Sequence, residues 1–435
     1  MEIIPAMQIN SRKVINAWCS YDIANSAYNL IITTVLFPIY YQEATKAAFN
    51  GVMVPFLGYS VKNTVLYDYT LAAAYMIIVF LSPILSGIAD YSGNKKRFMQ
   101  FFTYVGATSC IGLYWFTGAN IGLAVTLSGM AVIGFAGSLV FYNSFLPLIA
   151  SPDRQDAVSA KGFAWGYAGS VLLLIFNIFT INTYKWWGFV SETSAVRFAF
   201  FEVGIWWATV SAFAFWFLKD APAIGKAGLH IVSKGFIELK KVFNSFAHNP
   251  SMARFLMAFF FYSMGVQTVL LVATLFGSTV LNISTTKLIA TIVILQIVAM
   301  VGATLFAKVS KKLGNKTSLI IMLIIWVAVC FSAFFVVNEY QFYVLAAMVG
   351  LVMGGIQSQS RSTYAKLIPR ETTDTASFFS FYDVTEKLAI VFGMFSFGFI
   401  EQITGTMRNS TLSMSVFFML GLFFLLLTPL KKHVE

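Results

Sequence analysis

The chain of 435 residues is 58% hydrophobic, with 29 Lys plus Arg, 18 Asp plus Glu and a mean hydropathy of +0.76. Soluble chains are about 25% charged, so this composition excludes an ordinary soluble domain. The formal charge of +11 points to basic loops at a membrane surface rather than to nucleic acid.

Apolar windows bounded by charge, Gly, Pro or Asn predict spans near 15–41, 67–89, 98–117, 121–149, 162–182, 198–218, 252–280, 285–307, 318–337, 342–367, 376–400 and 411–430. Twelve helices of about 20 residues would absorb most of the apolar sequence. The short polar N-terminus, residues 1–13, lacks the apolar core of a removable signal peptide, so the first span is expected to serve as the anchor. Residues 50–60 read as an apolar loop too short to cross. Twelve spans with both termini inside place 21 of the 29 basic residues on the cytoplasmic side, the asymmetry that sets orientation. The expected location is therefore an integral multi-pass protein, in the inner membrane if the chain is bacterial.

Between the sixth and seventh spans, Leu229, Val232, Phe236, Leu239, Phe243 and Phe246 recur at three- and four-residue steps beside Lys234, Lys240 and Lys241. This predicts an amphipathic interfacial helix linking two halves. The halves repeat: Asp90-Tyr-Ser-Gly93-Asn94-Lys95 matches Lys311-Lys-Leu-Gly314-Asn315-Lys316 at an offset of 221, and Leu148-Ile149 matches Leu367-Ile368 at 219. The expected fold is all-α and polytopic, two pseudo-symmetric six-helix bundles at 1–219 and 251–435 joined by a cytoplasmic linker at 220–250.

The first repeated loop has a physical logic. In Gly87-Ile-Ala-Asp90-Tyr-Ser-Gly93-Asn-Lys95-Lys96-Arg97, a gating loop on the cytoplasmic side, Asp90 can accept from a neighbouring helix start, Gly93 permits a tight reversal, and Lys95, Lys96 and Arg97 pin the loop to the inner surface. This loop resembles the conserved loop of the major facilitator superfamily. Trp18-Cys-Ser-Tyr21-Asp22-Ile-Ala-Asn25-Ser26-Ala-Tyr28, Phe141-Tyr142-Asn143-Ser-Phe-Leu-Pro147, Gly166-Tyr167-Ala-Gly169 and Gly354-Gly355-Ile-Gln357-Ser-Gln-Ser360-Arg361-Ser362 resemble its vacuole-effluxer-like branch over almost the whole chain. The resemblance implies solute transport and, through fungal members, amino-acid export from the vacuole. One departure is Asp22-Ile23, where relatives are expected to carry Asp-Trp.

Polar residues inside the predicted spans are compatible with that reading. Asp22, Asn25 and Asn29 lie on the first, Tyr142 and Asn143 on the fourth, Asn177 on the fifth, Gln267 on the seventh, Gln357, Gln359 and Arg361 on the tenth, and Asp383, Glu386 and Lys387 on the eleventh. A charge in hydrocarbon costs about 2.5–3.5 kcal/mol or more, so such groups need partners or a wet cavity. Asp22, Arg361 and Asp383 fall about 9–12 Å inside their helix ends, which predicts one polar cluster toward the cytoplasmic side with Glu386 deeper. Two roles stay open. Arg361 either binds an anionic solute group or releases a carboxylate partner while Asp22, Asp383 or Glu386 exchanges a proton, or else Arg361 with Asp383 and Lys387 with a carboxylate are permanent structural pairs.

Gly162, Gly166, Gly169, Gly350 and Gly354 fit close helix packing, and Trp186, Trp187, Trp206 and Trp207 are expected near the outer boundary. The buried-type cysteines Cys19, Cys110 and Cys330 and the scattered His230, His248 and His433 suggest neither disulfide nor metal site. No cofactor, enzymatic constellation or nucleotide loop is expected. The expected partners are a small solute, protons and membrane lipids, with the chain acting as a monomer. A passive facilitator, or a non-transporting sensor or enzyme on the same scaffold, is the alternative.

Overall fold

The structure, a computed structural model, describes residues 9–220 and 231–429. Leu229, Lys226, His230, Lys431, Lys432 and His433 lie outside the described residues, as do the side chains of Val232, Lys234 and His248. In chain order, α1 (Arg12–Ala27) continues through a π-helical stretch, Tyr28–Val35, into α2 (Leu36–Phe49). A hairpin, β1 (Met53–Phe56) and β2 (Tyr59–Lys62), leads to α3 (Asn63–Ser92), α4 (Lys95–Gly112), α5 (Ile121–Ser144), the single turn α6 (Leu146–Ile149), α7 (Pro152–Asn182) and α8 (Glu192–Phe217). Then follow α9 (Ile231–His248), α10 (Pro250–Thr279), α11 (Thr285–Leu313), α12 (Asn315–Phe335), α13 (Glu339–Leu367), α14 (Thr375–Thr404) and α15 (Met407–Leu426).

Among the described residues, eleven helical stretches are long and apolar enough to cross a membrane, Arg12–Phe49 and Ile121–Ile149 each counting as one. The third expected span, 98–117, falls on α4, which packs between α5 and α8. With Lys95, Lys96 and Arg97 in its first turn, the 18-residue α4 is too charged to join that class. The expected loop at 50–60 pairs with itself as the hairpin, Val54 opposite Val61. The fifth span begins ten residues early, because the polar segment from Pro152 is already helical.

Helices α1 to α8 pack together, as do α10 to α15, and the two groups meet along α7 against α11 and α13 and along α3 and α5 against α14. The loops at Gly93 and Gly314 lie at one end of the bundle, here the basic end. Gly93 closes α3 at φ +64° and Gly314 separates α11 from α12 at φ +85°, a left-handed backbone that a side chain resists.

Small residues set the helix spacing. A Cβ on Gly354 would run into the Ala299 carbonyl, and one on Gly350 into that of Leu295, so α11 and α13 touch backbone to backbone. On α7, Gly162, Gly166 and Gly169 face Asp22, Ser26 and Ile23 of α1. The tryptophans divide. Trp186 and Trp187 are exposed beyond α7, whereas Trp207 is fully buried, stacked on Tyr28 at 5.1 Å over Gly106. Its place in the middle of α8, not at an end, explains the departure from the outer boundary, and Trp206 is likewise part-buried, donating to the Ile23 carbonyl at 3.1 Å.

The linker helix α9 touches both groups. Gly235 lies backbone to backbone on Gly87 of α3, Val242 is buried, and Phe246 packs edge-on to Phe381 of α14 at 5.0 Å. The predicted stripe therefore splits: Phe246 turns inward while Phe236 and Phe243 are exposed, because Gly235 and Val242 supply the face that fits α3.

Overpacking a tight core costs about 1–3 kcal/mol. Gly354→Leu is thus expected to lower the thermal midpoint of the purified protein by several degrees; an unchanged midpoint would mean that α11 and α13 do not need this approach.

Candidate functional site

A guanidinium inside a bundle must satisfy five donors without water. Arg361 of α13 makes four such bonds, all with residues of the other helix group. Nη2 pairs with Asp22 Oδ2 at 3.3 Å and donates to the Ser159 carbonyl at 2.9 Å. Nε donates to Ser159 Oγ at 2.9 Å and Nη1 to Asn143 Oδ1 at 3.3 Å. Tyr142 donates its hydroxyl to the same Asp22 oxygen at 2.7 Å. The cation also lies over the rings of Phe163 at 4.2 Å, Trp18 at 4.7 Å and Tyr142 at 5.5 Å. Asp22 and Arg361 are 6% and 3% exposed. Gly162 leaves the room for this meeting, since a Cβ there would collide with Asp22 and crowd Arg361.

Around this centre, Asn25 is buried with its Nδ2 unpartnered, and Gln357 accepts from Tyr167 at 2.7 Å, another bond between the groups. Asn29 sits in the π-helical stretch and is exposed, outside the Arg361 network. The loss of α periodicity after Ala27 turns it away from the face predicted for it.

The expected single polar cluster resolves into two. The second lies on α14, where Lys387 pairs with Asp383 at 3.1 Å and with Glu386 at 3.1 Å. Gln267 of α10 donates to Glu386 at 3.0 Å, and Tyr75 of α3 places its ring 5.9 Å from the Lys387 ammonium. Arg361 does not pair with Asp383, because Lys387, one turn along the same helix, takes that carboxylate locally. Asp383 Oδ2 is buried without a partner. Asn177 belongs to neither cluster: it donates to Glu202 of α8 at 2.6 Å.

At the basic end two latches join the groups. Asp90 accepts from the backbone N–H groups of Ala376 and Ser377 at 3.2 and 2.7 Å, capping the start of α14, where unpaired amides and the helix dipole favour an anion. Lys95 pairs with Asp90 at 2.9 Å and donates to the Thr373 carbonyl and Thr375 Oγ1, each at 2.7 Å. Surface pinning by the basic triplet is therefore corrected. Lys95 is fully buried in the latch, Lys96 donates to the Leu218 carbonyl at 3.1 Å, and only Arg97 is exposed.

The second latch escaped sequence reasoning. Asp156 at the start of α7 pairs with Lys366 at 2.7 Å and accepts from Asn315 at 2.8 Å and Ser310 at 2.9 Å. Asn315 also reaches Gln359 and Thr363. The signal was present: the second loop repeats Asn94 as Asn315 but carries Lys311 in place of Asp90, so its acid had to come from elsewhere. Beside these latches, Lys241 of α9 pairs with Asp374 at 2.8 Å, and that hydrogen bond raises the Lys241 ammonium above its ordinary range. Burial raises the Asp220 carboxyl against the Lys96 amide that holds it.

Helices in two groups, joined at one end by latches and, further in from that end, by a buried ion pair, define a multi-pass membrane transporter of the major facilitator type. The fold matches the crystal structure of the transporter FucP of E. coli in the outward conformation, with a TM-score of 0.72 over 97% of this chain and 100% of that one at 12% identity. The chain is 32% identical over 431 residues to the uncharacterized MFS-type transporter YxiO of Bacillus subtilis (strain 168), covering 97% of this chain and 96% of that protein. It is 25% identical over 416 residues to autophagy-related protein 22 of Saccharomyces cerevisiae (strain ATCC 204508 / S288c), covering 82% and 76% respectively. The family model described as "Vacuole effluxer Atg22 like" matches residues 10–435. The chain belongs to this family; it is a transporter-type membrane protein and not an enzyme.

Removing one partner of a buried ion pair costs about 3–5 kcal/mol, whereas replacing both by apolar groups is often neutral. Asp22→Ala is expected to lower the thermal midpoint markedly, and Asp22→Ala with Arg361→Met to recover most of the loss. If the double variant is as unstable as the sum of the two single ones, the pair is not the unit described.

Proposed function

We propose that the chain is a proton-coupled secondary transporter that moves a small polar solute, an amino acid or small peptide, by alternating access between the halves 1–219 and 251–435. The basic end faces the cytoplasm, in keeping with the rule that loops rich in Lys and Arg stay inside, and in a bacterium the membrane is the inner one. The unit is a monomer, and the solute, protons and lipids are its partners.

The observation that carries this reading is the buried Arg361–Asp22 pair between the two helix groups. Opening the basic end must break it, and exposing a bare guanidinium to a dry seam is costly. Protonation of Asp22 removes the opposing charge, and a solute carboxylate offers Arg361 a replacement. Of the two roles weighed for Arg361, this geometry favours holding and releasing a carboxylate. Asp383, Glu386 and Lys387 carry both signs within one helical turn, and Glu386 is the more open of the acids at 23%. That arrangement suits the other end of a zwitterion, whose ammonium is taken by Glu386 or the unpartnered Asp383 Oδ2 beside Lys387 while its carboxylate is held by Arg361. Asn25, Tyr142, Asn143 and Gln357, around Arg361, are assigned to handling the solute, and the exposed Asn29 is left outside that set. The latches of Asp90, Lys95 and Asp156 hold the cytoplasmic gate. The family's description as vacuole effluxers supports export of such solutes.

Uptake into proteoliposomes tests this, with amino acids and small peptides offered with and without an imposed pH gradient. Accumulation is expected only with the gradient; equal uptake in both would make the chain a passive facilitator. Arg361→Ala should abolish transport in correctly assembled protein, and wild-type turnover there would remove Arg361 from the mechanism. Asp22→Asn should lose gradient-driven accumulation while retaining solute exchange; full accumulation by this variant would assign the proton elsewhere.

A further inference from the structure

Away from the seam, α7 and α8 leave a side pocket of about 590 Å³ that contains a carboxylate with no part in the transport site, Glu202. Leu172, Phe176, Phe198, Phe201, Ile205 and Trp206 surround it. Leu172, Phe176 and Ile205 are exposed, and α7 meets the other helix group through α11 and α13, so the pocket opens on the flank of the bundle. Glu202 lies ten residues into α8, about 15 Å from the helix start at 1.5 Å per residue, which is the depth of hydrocarbon rather than headgroups.

A carboxylate at that depth needs a partner. Asn177, wholly buried, donates Nδ2 to Glu202 Oε2 at 2.6 Å, and its own Oδ1 is left unpartnered. Among the described residues, no Lys, Arg or His forms an ion pair with Glu202. The pocket thus has an acceptor carboxylate, anchored from behind by a buried amide, beside an aromatic wall. The ligand chemistry that complements it is an N–H-bearing cation on a hydrocarbon chain: its ammonium answers the carboxylate, the rings favour a nearby cation, and its chain lies against Leu172 and Ile205.

We propose that this pocket is a lateral binding site for a lipophilic amine arriving from the bilayer, with Glu202, held in place by Asn177, as counter-ion. The wall of the pocket is tied to the transport helix, because Trp206 Nε1 donates to the carbonyl of Ile23, the residue after Asp22. Occupancy here is therefore placed to reach α1 from behind.

The test uses the full chain in lipid nanodiscs and a membrane-soluble carbodiimide, dicyclohexylcarbodiimide, which modifies carboxyl groups accessible from hydrocarbon. The Glu202 adduct is quantified by peptide mass spectrometry, with N,N-dimethyldodecylamine as competitor and dodecanol as its uncharged match. The expected result is a Glu202 adduct reduced at least fivefold by the amine and unchanged by the alcohol, with Asn177→Leu retaining the adduct but weakening the protection. Absence of a Glu202 adduct would show that the bilayer does not reach the pocket, and equal protection by amine and alcohol would reduce it to an apolar groove; either result overturns the proposal.

Discussion

A charge taken out of water must be solvated by protein, and in this chain that requirement couples charge to closure. Arg361 sits on α13, yet each of its hydrogen-bonding partners, Asp22, Asn143 and Ser159, belongs to the other helix group. Satisfying the guanidinium and closing the seam are the same event. A buried pair of this kind contributes little net stability compared with apolar packing. Its value is conditional: the arrangement is sound while both partners are charged and in place, and becomes costly when either changes. That conditionality is what a two-state element needs.

The basic end shows how an internal repeat keeps its function while losing its symmetry. In the first half Asp90 and Lys95 reach across to the start of α14. In the second half the corresponding acid is missing, and Asp156 of α7 comes to Asn315 and Lys366 from the opposite side. Both acids of the closed end therefore come from the first half, and the second half answers with the start of α14, Lys366 and Asn315. The linker helix α9 spans the same region, backbone to backbone with α3 and paired through Lys241 to Asp374 just before α14, so movement of either half is felt by the linker.

The helices were legible because lipid tolerates a small menu: about 20 apolar residues per crossing and no unpaired backbone. Asp22, Arg361, Asp383 and Lys387 were legible for the converse reason, as ionisable groups in windows that should hold none. What sequence reading missed has physical causes. Lys95 stands in a basic triplet and looks like a surface charge, but the cap that Asp90 makes on α14 draws it inward. Asp156 lies in the polar first turns of α7, which hydropathy assigns to a loop although they are helical. Asn29 obeys helical spacing from Asp22, but the backbone widens to a π-helix from Tyr28. The hydrophobic pattern records neither a backbone irregularity nor a partner supplied from another helix.

The central claim is that the Arg361–Asp22 pair holds the basic end shut. It is tested most directly by electron–electron spin distance measurements between labels at the exposed Arg97 on α4 and Lys312 on α11. The background would carry Cys19→Ala, Cys110→Ala and Cys330→Ala, with Asp22 intact or changed to Asn. With Asp22 intact, the distances should form a single short population, and Asp22→Asn should add a longer one as the halves part. Identical distributions in the two proteins would contradict the account.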